Sequence, residues 1–195
     1  KMKVSIIIPA HNEEQRIPRT LEEYGNFFSR KRQELDVEIL VVLNACKDNT
    51  IGVVKNAEEK FQEIRHLDFE QGGKGFAIIE GLKDALTRDN DLIGYVDADL
   101  ATRPEAFYDL IKNVRNYEGI IASRWIKGSV AKQSFSRAVL SRGFNFIVRS
   151  MFFIPYKDTQ CGAKLFKRKV VAKVVNELSI TQWAFDINLL YLCKR

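Results

Sequence analysis

Cysteine is sparse: Cys46, Cys161 and Cys193 are odd in number and scattered, and no Cys-x-x-Cys pair occurs. This spacing argues against a disulfide framework and a thiolate zinc site, and a reducing cytoplasm fits it best. Histidine is scarcer still. With only His11 and His66, a histidine-rich metal centre is excluded and oxygen ligands remain. Only 4 prolines and no low-complexity tract are present, which argues against a disordered or fibrous chain. No apolar run is long enough to span a bilayer, since Phe144 to Tyr156 is broken by Arg149 and ended by Pro155. Any membrane contact is therefore expected to be peripheral. No Gly-x-Gly-x-x-Gly follows the first apolar run, and no Ser or Thr follows Lys74. These absences argue against a dinucleotide dehydrogenase and a P-loop.

What is present is an ordinary globular composition, 46% hydrophobic and 29% charged in 195 residues, enough for one domain with a substantial core. The chain opens with Lys1 before Met2 and stops at Lys194 and Arg195 inside a helical pattern without a Gly or Pro stop. A single domain over 1–195, truncated at its C-terminus, is expected. The net charge of +6 suits an anionic partner. The basic clusters Arg30 to Arg32 and Lys164 to Lys169 are interleaved with apolar residues and read as solvated surface. With no nucleic-acid module signature, nucleotide phosphates or an anionic membrane surface are the expected partners, not nucleic acid.

Short β-branched runs at Val4 to Ala10, Glu38 to Leu43, Ile64 to Phe69, Leu92 to Val96 and Gly119 to Ser123 predict strands. Helical periodicity falls between them, at Ile17 to Ser29, Thr50 to Phe61, Gly75 to Thr87 and Glu105 to Val114. Thr102 and Glu105, with Pro104 between, have capping-box spacing. Further on, a long helix at Gln133 to Phe153, a strand at Gln160 to Phe166 and helices at Lys167 to Glu177 and Ala184 to Arg195 are predicted. This alternation predicts an α/β fold with a Rossmann-like, mostly parallel sheet flanked by helices.

In such sheets ligands sit beyond the carboxyl ends of the strands, and the polar clusters of this chain fall there. The first strand runs into Pro9, Ala10, His11, Asn12, Glu13 and Glu14, the second into Asn44 to Thr50, the third into Gly72 to Gly75, and the fourth into Asp97, Ala98 and Asp99. Residues two apart in extended chain share a face, so Asp97 and Asp99 can reach one hard cation such as Mg2+ or Mn2+, which could hold a diphosphate. An acidic pair after a strand can equally cap a turn or helix. Gly72, Gly73, Lys74 and Gly75 allow close backbone approach and put a cation near a helix N-terminus, which suits a phosphate. Arg137 and Ser141, at i and i+4 on a predicted helix, place a guanidinium and a hydroxyl on one face, which either grips a phosphate or is an ordinary solvated helix surface. The apolar continuation from Phe144 to Ile154 either lies against a bilayer or packs into the core.

In order and spacing, the run Val4 to Glu14, the Asp-x-Asp at 97–99, Asp158 to Gly162 and Trp183 to Asp186 resemble the family 2 glycosyltransferases of GT-A fold. Within that family they look most like the polyprenyl-phosphate sugar synthases of the dolichyl-phosphate glucose and mannose type, the glucose branch above all. The resemblance implies an inverting hexosyl transfer from a nucleotide-diphosphate sugar, UDP-glucose favoured and GDP-mannose the alternative, to a polyprenyl or dolichyl phosphate. It implies nucleotide contacts from Pro9, Ala10, His11, Asn12, Glu14, Asn44 and Ala98, with Lys74 on the donor side of the pocket. Asp97 and Asp99 would hold Mg2+ or Mn2+, and Arg124, Arg137 and Ser141 the acceptor phosphate, with the enzyme peripheral on the cytoplasmic face of a membrane.

His11 stands where the family often has Tyr and can still stack or hydrogen-bond, or serve as a buried structural histidine. Asn44 stands where the family commonly has Asp, and it can donate as well as accept. Ala101 replaces a Gln frequent in mannose synthases and cannot ligate. Asp186, and after it Asp158, are the candidates for a general base, which a sugar hydroxyl acceptor needs and an ionised phosphate does not. Each can instead cap a helix or pair with a nearby Arg. A transferase to a soluble or glycan hydroxyl and a non-catalytic nucleotide-sugar binding module are the competing readings.

Overall fold

A computed structural model describes residues 1–122, 161–179 and 185–194. Strand β1 (Met2–Ala10) is followed by helix α1 (Ile17–Ser29), β2 (Leu35–Asn44), α2 (Thr50–Lys60), β3 (Ile64–Phe69), α3 (Lys74–Thr87), β4 (Leu92–Tyr95), α4 (Pro104–Asn113) and β5 (Gly119–Ile121). After the undescribed stretch come β6 (Lys164–Lys167), α5 (Arg168–Val174), a 3-10 turn (Val175–Glu177) and α6 (Phe185–Lys194). The expected helix at Gln133 to Phe153 lies outside the described residues.

The strands form one 6-stranded sheet in the order β3-β2-β1-β4-β6-β5. Strands β1 to β4 pair in parallel, whereas β6 runs antiparallel to both β4 and β5. The sheet is thus mostly parallel and flanked by helices, as expected. Because β1 lies between β2 and β4, the chain order reverses there, and a crevice opens at the carboxyl ends of β1 and β4.

Val4 to Ala10 are buried throughout, as befits a strand covered on both faces. Alternation then divides the core. Ile6 and Ile8 pack with Ile17, Leu21, Tyr24 and Phe28 of α1 on one face, and Ile7 packs with Ile78 and Leu82 of α3 and Leu190 of α6 on the other. Residues 17, 21, 24 and 28 follow the helical period, which makes α1 amphipathic and aims its stripe at the sheet.

The start of α4 departs from the capping-box expectation. Arg103, not Thr102, occupies the cap position, in extended conformation and without a side-chain cap bond. The residue before a proline is pushed out of helical conformation, so Pro104 forces the boundary one residue later. The carbonyl of Thr102 instead accepts the Tyr24 hydroxyl at 2.9 Å.

Candidate active site

Pro9, His11, Glu13, Arg16, Asn44, Lys74, Asp97, Ala98 and Asp99 line a cleft of about 200 Å³ at the switch point. The loops after β1 and β4, the last residue of β2 and the start of α3 thus converge there. Ala10, Asn12 and Glu14 are not part of that lining. Ala10 is buried, and its carbonyl accepts the Asn44 amide at 2.9 Å. Asn12 accepts the Lys47 N–H at 2.7 Å, and Glu14 accepts the Asn49 N–H at 2.8 Å. These two residues clip the β1 loop to the β2 loop.

Asn44, 2% exposed, engages both ends of its amide and its backbone carbonyl. Its Nδ2 donates to Ala10, its Oδ1 accepts the Gly73 N–H at 3.0 Å, and its carbonyl lies 2.7 Å from His11 Nδ1. A carbonyl can only accept, so Nδ1 carries the proton and Nε2 is left to accept from Asn12 Nδ2 at 3.3 Å. His11 is exposed, so the buried-histidine alternative does not describe it.

Lys74 opens α3, preceded by Gly73 at φ 131°, a conformation that favours glycine. Its Nζ lies 2.6 Å from Asp97 Oδ1. Burial opposes its charge, but Asp97, then Asp186 and Asp99, outweigh that and raise its pKa above the ordinary lysine value.

The acidic pair is not in extended chain. β4 ends at Tyr95, Ala98 and Asp99 form a turn, Asp99 Oδ1 accepts the Ala101 N–H at 3.0 Å, and Leu100 has φ 59°. The shared cleft comes from this turn and not from the two-residue period. Thr20 of α1 fixes it from below, donating to the Ala98 carbonyl at 2.6 Å.

Among the described residues no three His, Cys, Asp or Glu side chains gather as a complete metal cage. Asp97 and Asp99 nevertheless fit a Mg2+ or Mn2+ that arrives with a diphosphate, because such ions take one or two carboxylates and fill the rest with phosphate oxygens and water. Gly162 belongs to this fit. A side-chain carbon there would overlap Asp97 Oδ2, so only glycine leaves that carboxylate its place.

Asp186 lies in the first turn of α6 but not in the cleft lining. It is 7% exposed, and its Oδ1 accepts the Tyr95 hydroxyl at 2.5 Å and the Lys164 ammonium at 2.6 Å. Lys164 is wholly buried, which corrects the reading of that basic cluster as uniformly solvated. β6 pairs Lys164 with Tyr95 and turns its side chain inward. Asp158, Arg124, Arg137 and Ser141 lie outside the described residues.

Arg16 and Thr20 carry no motif in the sequence, and Glu13, Gly162 and Lys164 stand there only as members of longer runs, without a role of their own. Glu13 and Arg16 form a two-pronged ion pair with both contacts at 2.7 Å, and their i, i+3 spacing next to Asn12 was an available signal.

A mostly parallel α/β sheet with a polar cleft at its switch point is the architecture of α/β proteins that take their ligands beyond the carboxyl ends of the strands. Residues 5–175 match glycosyl transferase family 2, and the chain belongs to that family. It is 35% identical over 208 residues to a dolichyl-phosphate beta-glucosyltransferase of Drosophila melanogaster, covering 99% of this chain and 63% of the relative. It is 34% identical to the Dictyostelium discoideum protein of the same name, covering 98% and 62%. The chain thus spans less than two thirds of the length of these relatives. In fold it resembles glucosyl-3-phosphoglycerate synthase from Mycobacterium tuberculosis, crystallised with Mn2+, UDP-glucose and phosphoglyceric acid. The TM-score is 0.68 at 18% identity, over 97% of this chain and 64% of the other.

Proposed function

We propose that this protein transfers a hexose, with inversion at the anomeric carbon, from a nucleotide-diphosphate sugar to a polyprenyl or dolichyl phosphate. UDP-glucose is the favoured donor and GDP-mannose the alternative. The observation that carries this reading is the meeting of Lys74, Asp97 and Asp99 in one cleft at the switch point. As the acceptor oxygen bonds to the anomeric carbon, the bond to the donor's diphosphate oxygen breaks and its electron pair leaves with the nucleoside diphosphate. The Lys74 ammonium and the N-terminal end of α3 supply positive charge where that negative charge develops. Asp97 and Asp99 would hold Mg2+ or Mn2+, which when bound supplies further neutralisation of the diphosphate. His11 and Asn44 border the nucleotide side.

A phosphate acceptor arrives ionised and needs no general base. This agrees with an Asp186 already engaged by Lys164 and Tyr95. The names of the relatives support the lipid-phosphate acceptor, and the donor and ion found with the fold neighbour accord with UDP-glucose and Mn2+. Such an acceptor is a membrane lipid, and the proposed reading has the protein act peripherally at a membrane surface, on the cytoplasmic face. Among the described residues no helix is long and apolar enough to cross a membrane. Arg124, Arg137 and Ser141 are the proposed grip on the acceptor phosphate.

The test is a screen of UDP- and GDP-sugars with Mn2+ or Mg2+, with and without polyprenyl phosphate. Product that requires the lipid is the expected result. Transfer to a soluble acceptor without lipid, or nucleotide binding with no product in any combination, would overturn the proposal.

A further inference from the structure

Outside the cleft lining stands a buried charged network. Lys164 is fully buried, and its ammonium has two acceptors, Asp186 Oδ1 and the Cys161 carbonyl, each at 2.6 Å. It lies 5.3 Å from the centroid of the Tyr95 ring. The Tyr95 hydroxyl donates to the same Asp186 oxygen at 2.5 Å, and burial, then Asp186, hold that phenol well above its ordinary pKa, so it remains a donor. A buried ion pair rarely makes a fold more stable than apolar residues of the same size would. Its value here lies in what it holds.

It holds the Cys161–Gly162 backbone. Lys164 fixes the Cys161 carbonyl, and the next residue, Gly162, abuts Asp97 so closely that any side-chain carbon would overlap Oδ2. A continuous line of contacts thus runs from Asp186 on α6 through Lys164, Cys161 and Gly162 to the Asp97 carboxylate in the cleft. Residues behind a ligating carboxylate set its orientation.

We propose that Lys164 and Asp186 are positioning residues that hold Asp97 in the orientation that takes a divalent cation with a diphosphate, acting through the Cys161 carbonyl and Gly162. This rests on the assignment of Asp97 to the cation under the proposed function, and it gives Asp186 a task other than that of a base.

Mn2+ binding measured by electron paramagnetic resonance, with inorganic pyrophosphate present, tests the proposal without turnover. Asp97→Asn serves as the reference and loses binding. The variant Lys164→Met, Asp186→Leu, Tyr95→Phe removes the charges and both Asp186 donors together. It is expected to melt no lower than the parent yet bind Mn2+ roughly 10- to 100-fold more weakly. A folded triple variant with parental Mn2+ affinity overturns the inference while leaving the cation assignment intact. Unchanged binding in Asp97→Asn overturns both. Should the triple variant not fold, Asp186→Asn, which keeps the side chain's shape, decides. Affinity about tenfold weaker supports the positioning role, and parental affinity overturns it.

Discussion

Asn44 shows how much one side chain can organise. It ties the end of β1, the Gly73 turn and His11 together through a donor and two acceptors. An Asp in its place has no hydrogen for Ala10 and puts a carboxylate oxygen against that carbonyl. Asn44→Asp is therefore expected to destabilise the fold by about 3 kcal/mol, read from urea denaturation. Lys74 has the opposite balance, with a small contribution to the fold through its pair with Asp97 and, in the proposed reading, a large one to the site. Lys74→Met should lower the melting temperature only slightly while kcat/KM falls roughly 10²- to 10³-fold in the donor assay. Its pH dependence follows from its raised pKa. The stability contributed by the Lys74–Asp97 pair is fully present below the unfolded lysine value of about 10.4 and is lost as pH rises through the higher folded value. Alkaline unfolding should consequently show a loss of stability in that range that Lys74→Met lacks.

At the scale of elements, α1 supports the cleft it barely touches. Its apolar stripe lies on the sheet, and Thr20 reaches beneath the acidic turn to the Ala98 carbonyl. Thr20→Val keeps the volume and removes the hydroxyl. The expected cost is about 1–3 kcal/mol of stability in a denaturation experiment, together with weaker nucleotide binding as the turn loosens.

Most elements were legible because period 2 or 3.6 is imposed by burial on one or both sides. Ile6, Ile7 and Ile8 and the 17-21-24-28 stripe show this directly. Two features were not. A strand as short as Lys164–Lys167 carries no signal of direction, so its antiparallel pairing with β4 could not be inferred from its residues. The α4 cap was misplaced because Pro104 acts on Arg103 more strongly than Thr102 attracts the helix start.

At the scale of the whole molecule, the loops that build the cleft were legible as polar punctuation after four apolar runs, and the parallel sheet brings them to one end. What sequence could not disclose is pairing across the chain. Tyr95 and Asp186 are separated by 91 positions and Lys164 and Asp186 by 22, and a lysine in a basic run looks like surface until the sheet turns it inward. The same limit hid Gly162, whose need for a bare α-carbon is created only by Asp97 across the fold.

In the proposed reading Asp97, Asp99 and Lys74 form a cation-assisted site for a nucleotide-sugar diphosphate. Calorimetric titration of UDP-glucose into the protein with Mn2+ and with chelator, in the parent and in Asp97→Asn, is the decisive experiment. The expected result is Mn2+-dependent binding that weakens at least about tenfold in Asp97→Asn. Binding of equal affinity in chelator, or in the Asp97→Asn variant with Mn2+, would contradict the claim.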